Sequence, residues 1–383
     1  MKKENIFGII MYLIIFAFAV VYGLTVLQTH FEHSTMTQVW QYAIYIICSI
    51  LVGVIIAAIL QELGHLLGAK VGGYKVTKFT VLYFSIYLDG GKYKFGFKNF
   101  EGMTGETLIV PNYEKNDNPN PVPYLIYGPI FNLAWFIGSL ILFFTFNNGS
   151  KFDGDVAYSI LTVGLISAVL FVYDIVPVKL DSSTDGYRLM TLAKNKDRKQ
   201  FNDLLVAQYE ANHGTMEIAK DKKEAVSVVV KDTTEGKLIM VYSLLDEKKF
   251  DEANKLLEEI SEKENELTKR GQLDAAELRL YIMVMTKPLE EMVEYYQNNV
   301  TLSQKKEISG DHTMLGIRTY LLLAGLLDKS RSECLIVLKH LAKAYKSTPT
   351  NRKHAELVLF NEALEKVCSA HPKWELEIYK LFE

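Results

Sequence analysis

Residues 52–70 read VGVIIAAILQELGHLLGAK, an apolar run that ends in the polar pair Gln61 and Glu62, with His65 one helical turn further on. Upstream the chain carries no charge back to Trp40, which is long enough to cross the hydrocarbon of a bilayer as a helix. Ionisable side chains at membrane depth are costly, so a functional role is the default expectation for Glu62 and His65. On a helix, positions 61, 62 and 65 share one face, because residues three and four apart are neighbours. Zincins use that face for two histidines at i and i+4, with a glutamate after the first as general base. Here the glutamate and the second histidine are present, and Gln61 stands at the first ligand position.

Three more runs are long and uncharged enough to span: about Ile6–Leu27, Tyr124–Phe146 and Val156–Tyr173. The first follows Lys2 and Lys3 like a signal peptide, but its apolar stretch is too long for one, so it predicts a retained span. Residues 28–39 contain no Lys or Arg, whereas the segment after the second span carries Lys70, Lys75, Lys78, Lys92, Lys94, Lys98 and Lys115. Only Lys151 lies between the third and fourth spans. This asymmetry predicts both termini in the cytoplasm, and the expected location is a bacterial cell membrane.

Between the second and third spans, Lys75–Leu88 is rich in β-branched and aromatic residues and leads through Asp89-Gly90-Gly91 into Lys92–Phe97. That pattern predicts a small cytoplasmic β-hairpin, and Pro111–Pro123 an irregular loop. From Tyr187 onward the pattern is helical and rich in both charge signs. Leu238–Ile260 looks like the turn and second helix of a tetratricopeptide-type hairpin, and further helices are expected near Leu273–Thr286, His312–Leu327, Glu333–Tyr345 and His354–Cys368. The expected architecture is therefore an α-helical membrane protein of about four spans over residues 1–186. A cytoplasmic all-α, repeat-like domain follows over 187–383, with a surface suited to a protein partner. No basic stripe interleaves with aromatics, which argues against nucleic acid as a partner. Cys48, Cys334 and Cys368 are too scattered for a disulfide framework.

Two further elements bear on the chemistry. Gly128-Pro129 with Asn132 stands at the head of the third span, where an unpaired amide would be costly. Asp174-Ile175-Val176-Pro177 ends the fourth, followed by Asp181 and by Asp185-Gly186. Over about residues 40–190 these pieces resemble the site-2 protease family of intramembrane zinc metalloproteases. The resemblance implies zinc held by His65 and Asp185, with Asp181 as the rival carboxylate, and Glu62 as the base that activates water. It also implies that Asn132, with Gly128-Pro129, helps to position a membrane-embedded peptide, and that a strand of the Lys75–Phe97 hairpin pairs with that peptide. The chain departs from the family at Gln61, where the first ligand histidine belongs, and at Asp174, where the family commonly has Asn. His30 and His33 precede the second span and would sit across the bilayer from His65. Gln61 leaves open a weakly coordinating amide, an altered residue, or a pseudoprotease that binds membrane peptides without cutting them.

Overall fold

The computed structural model describes residues 3–26, 35–97, 104–146, 151–178, 184–193 and 195–382. Asp181, His30, His33 and Lys98 lie outside them. The chain is mostly helical, with one small antiparallel sheet. It divides into two compact units, Met1–Leu88 with Tyr93–Asn202, and Asp89–Lys92 with Asp203–Glu383.

The first unit begins with α1 (Lys3–Val26) and α2 (Met36–Gly72). Then follow β1 (Tyr74–Val81), β2 (Phe84–Asp89), β3 (Lys92–Phe97), β4 (Gly105–Pro111), α3 (Pro121–Phe146), α4 (Lys151–Ile175) and α5 (Asp185–Thr191). Among the described residues, Gln38–Gly72, Pro121–Phe146 and Val156–Ile175 are long and apolar enough to cross a membrane, and Gly8–Leu24 is a shorter apolar helix. At 37 residues, α2 is about 55 Å long, against ~30 Å of hydrocarbon. Its polar residues therefore lie in the part that outlasts the uncharged run. Gly73, at φ 85°, ends it.

The helices α2, α3 and α4 pack on one another, and α1 packs on α4. Close approach of α2 to α3 depends on Gly64, Gly68 and Gly72, which repeat every fourth residue along one stripe. A Cβ on them would strike the backbone of Tyr127, Pro123 and Asn120 respectively. Small residues at this spacing let helix backbones meet where lipid offers no hydrophobic drive.

The sheet runs in the order β3-β2-β1-β4. The stretch expected to form one strand, Lys75–Leu88, turns back on itself at Leu82-Tyr83, pairing Val81 with Phe84. No Gly, Asn or Asp marks that turn, and Leu82 adopts φ 54°, at a cost of about 1–2 kcal/mol. β4 is a further strand, pairing with β1 across a bulge between Val76 and Lys78. The helix expected as the third span starts at Pro121, not Tyr124, so Gly128-Pro129 lies inside it. Pro121 and Pro123 suit a first turn, where the missing N–H is no loss.

Apart from the hairpin tip Asp89–Lys92, the second unit is helical. It holds most of α6 (Asn195–His213), then α7 (Lys220–Asp232), α8 (Thr234–Asp246), α9 (Phe250–Ser261), α10 (Lys269–Thr286), α11 (Leu289–Asn299) and α12 (Leu302–Gly310). It continues through α13 (Met314–Leu322), α14 (Arg331–Leu338), α15 (Leu341–Ser347) and α16 (Lys353–Ala370). Asn202 of α6 belongs with the first unit: it accepts a hydrogen bond from the Tyr74 hydroxyl (2.6 Å) and donates to the Pro119 carbonyl (2.9 Å). α8 packs on α9, α10 on α13 and α13 on α16, around a core that includes Leu257, Leu278, Leu321 and Phe360. Arg318 is fully buried there, paired with Glu356 and lying 4.7 Å from the centre of the Tyr281 ring.

Glu277 is buried in α10 against Asp311, whose carboxylate accepts from Arg270 (3.0 Å) and Thr313 (2.6 Å). Burial, then the Asp311 charge, push the Glu277 carboxyl from 4.5 up to about 10, with Arg270 opposing. A folded value above the unfolded one means that Glu277 costs nothing at pH 4, and progressively more as pH climbs from about 4.5 towards 10. Glu277→Gln should therefore raise the thermal midpoint of the detergent-solubilised protein at pH 8 and leave it unchanged at pH 4. The gain at pH 7 should be no larger than on the order of 3 kcal/mol. In the first unit, Gly68→Ala should lower that midpoint through overpacking worth roughly 1–3 kcal/mol. Gly138→Ala, where a Cβ meets nothing within 4 Å, should leave it in place.

Candidate metal centre

The helical face expected of α2 is realised: Gln61, Glu62 and His65 all lie buried. His65 Nδ1 is 2.8 Å from the carbonyl oxygen of Tyr124. A carbonyl only accepts, so Nδ1 carries a hydrogen, and in the neutral ring Nε2 then presents its lone pair. That nitrogen lies 3.3 Å from Asp185 Oδ2 and 3.2 Å from Gln61 Nε2.

Asp185 arrives here because α5 abuts the end of α4. Gly186 permits the contact, since a Cβ on it would strike the Ile175 carbonyl. Thr184 fixes the corner, donating to the Val176 carbonyl (2.7 Å) and accepting from the Tyr187 amide (3.3 Å). Burial pushes the Asp185 carboxyl up to about 7, with Arg188 opposing. A positive partner would therefore be needed to keep it fully ionised at neutral pH.

Asp174, at the end of α4, accepts a hydrogen bond from Gln61 Nε2 and another from the Asp185 backbone N–H. His65, Asp174 and Asp185 each offer one ligand atom, and these atoms lie within 4.8 Å of one another. An imidazole lone pair and two carboxylates converging in this way suit a divalent cation. Gln61 turns its amide nitrogen, not its oxygen, towards His65 and Asp174. Its Oε1 accepts from Asn132 Nδ2 at 2.6 Å. Asn132 is fully buried, and its Oδ1 has no hydrogen-bond partner. Gly128 faces the same centre, where a Cβ would come within 2.6 Å of His65 Nε2, so the bare backbone keeps the space before the imidazole open. Pro129 follows within α3.

Glu62 is held from the other side by β4. Thr107 Oγ1 donates to Glu62 Oε2 at 2.7 Å, and Gly105 lies so close that a Cβ would sit 2.8 Å from Glu62 Cγ. The Tyr124 hydroxyl donates to the Thr107 carbonyl (2.7 Å), tying β4 to α3. Thr107, Gly105 and Tyr124 are members of the site that the sequence reading did not single out. Nothing local marks Thr107, because its role depends on a strand packing on a helix distant in sequence. The Gly64, Gly68 and Gly72 spacing, by contrast, could have been found as a small-residue stripe.

No protein family, curated protein or solved structure matches this chain.

Thr107→Val should leave a buried Glu62 oxygen without its donor and cost about 1–3 kcal/mol. Thermal unfolding in detergent should show a lower midpoint for Thr107→Val and restoration by Thr107→Ser.

Proposed function

We propose that this chain is an intramembrane peptidase of site-2 type, in which His65 and Asp185 hold a divalent cation, expected to be zinc, and Glu62 is the general base. The observation that carries this reading is the convergence of buried Glu62 and His65 of α2 with the Asp185 carboxylate of α5, far apart in sequence. A cation bound there supplies Lewis acidity towards a peptide carbonyl. Glu62 takes a proton from water and delivers it to the leaving amine. Thr107 holds one of its oxygens for that exchange. Asn132 and Gly128-Pro129 line the approach from α3. β4 is an edge strand of the sheet and carries Thr107 and Gly105 to Glu62. An extended peptide added to that edge would bring a backbone amide beside the base.

The lysine asymmetry supports a reading in which α1 is the first of four spans and the centre lies near the cytoplasmic face of a bacterial cell membrane. In the helical unit, α8 and α9 join through a tight turn at Lys248, φ 59°, as in tetratricopeptide-type hairpins. Such stacked pairs suit a protein partner on a concave face.

The second reading is a pseudoprotease that binds membrane peptides without hydrolysis. The observation favouring it is the Gln61 amide N–H, which faces the centre where a ligand atom would be expected.

Co-expression with membrane-anchored reporter peptides separates the two readings. Glu62→Gln should abolish reporter cleavage if the chain is a peptidase. Cleavage unchanged by that substitution would sink the peptidase reading.

A further inference from the structure

We infer that Asp174 is a metal ligand that fills the place Gln61 does not, so the centre is one imidazole and two carboxylates, with Gln61 and Asn132 as positioning residues. This rests on the reading of the centre as a metal site.

The case begins with what Gln61 cannot do. An amide nitrogen has no lone pair to offer, and Gln61 directs that nitrogen at both His65 Nε2 and Asp174 Oδ2. Its oxygen, the atom able to coordinate, is engaged by Asn132. The face of α2 that would hold the first ligand therefore carries a donor instead. Asp174 supplies what is missing: a carboxylate oxygen within 4.8 Å of the ligand atoms of both His65 and Asp185.

Positions 61 and 174 are thus coupled: α2 presents an amide donor, α4 presents a carboxylate, and Gln61 donates to that carboxylate directly. The chain Asn132 to Gln61 to Asp174 is a run of hydrogen bonds that orients the carboxylate, as outer-shell partners orient ligands.

Two further observations point to an occupant. The Asn132 Oδ1 is buried without a partner beside Gln61. His65 Nε2 faces the Asp185 carboxylate at 3.3 Å, and in the neutral ring with Nδ1 protonated it turns a lone pair towards that oxygen. A divalent cation satisfies all three ligand atoms and offsets the charge of both carboxylates.

Exchanging an imidazole for a carboxylate hardens the donor set. Carboxylates suit Mn²⁺ and Mg²⁺ better than imidazoles do, while Zn²⁺ remains the stronger binder at any such site. The centre should therefore accept Mn²⁺ as well as Zn²⁺.

The test is metal content of the full-length protein in detergent, after loading with Zn²⁺ or Mn²⁺ and desalting, with the visible spectrum of a Co²⁺-loaded sample as a second readout. Four forms are compared: the unaltered chain, Asp174→Asn, Gln61→His, and the double variant. The expected result is about one equivalent in the unaltered chain and metal affinity at least ~100-fold weaker in Asp174→Asn, beyond what loss of an outer partner costs. The double variant should regain Zn²⁺ but not Mn²⁺, which also shows that Asp174→Asn remains folded. Undiminished metal in Asp174→Asn would overturn the assignment of Asp174 while leaving the metal site standing. Metal only in the forms carrying Gln61→His would overturn the assignment and favour the pseudoprotease reading. No metal in any form would overturn the metal reading itself.

Discussion

Where Gly64 and Gly68 of α2 pass Tyr127 and Pro123 of α3, and Gly72 passes Asn120 just before it, the chain meets backbone to backbone. The polar contacts between α2 and α3 depend on that distance. It brings the Tyr124 carbonyl to His65 Nδ1 and Asn132 to Gln61. With larger residues in the stripe, the polar face of α2 would be separated from its partners. An imidazole, an amide and a carboxyl would then be left inside an apolar bundle, each at a cost of several kcal/mol. Close packing and polar satisfaction are the same requirement here, met by three missing side chains.

The centre is built by layering partners rather than by one rigid element. α2 supplies Glu62 and His65, α3 holds the imidazole through a backbone carbonyl, and the α4–α5 corner supplies two carboxylates. β4 meets Glu62 from the sheet side. Each functional atom is fixed by a second group whose own position is fixed. The Nδ1 bond selects the tautomer of His65, Thr184 sets the corner that carries Asp185, and Tyr124 ties β4 to α3. This is the arrangement expected where ligand geometry has to survive helix motion.

Gln61 gives the site its particular character. Read along α2 alone it is only a polar residue beside Glu62. In the folded chain it is a hub, with its oxygen accepting from α3 and its nitrogen directed at the carboxylate of α4 and the imidazole of its own helix. Both halves of one amide are used, so substitution of Gln61 disturbs both neighbours at once. The same low dielectric that makes such a network costly when incomplete makes it specific when satisfied.

The amino-acid sequence by itself determined the apolar helices, because hydrophobicity and length are properties of contiguous residues. It also determined that Gln61, Glu62 and His65 share a face, since helical periodicity is local. Asp185-Gly186 was legible as a motif, and the reason for its glycine became clear only from the approach to Ile175. The turn at Leu82-Tyr83 and the strand β4 were not legible, because a leucine at positive φ is imposed by pairing rather than by its own preference. Only the tertiary structure decided which way the Gln61 amide points, that Asp174 joins His65 and Asp185, and that Thr107 holds Glu62. Those facts are distances between residues far apart in the chain. They are set by how closely helices and strands pack, which no window of sequence encodes.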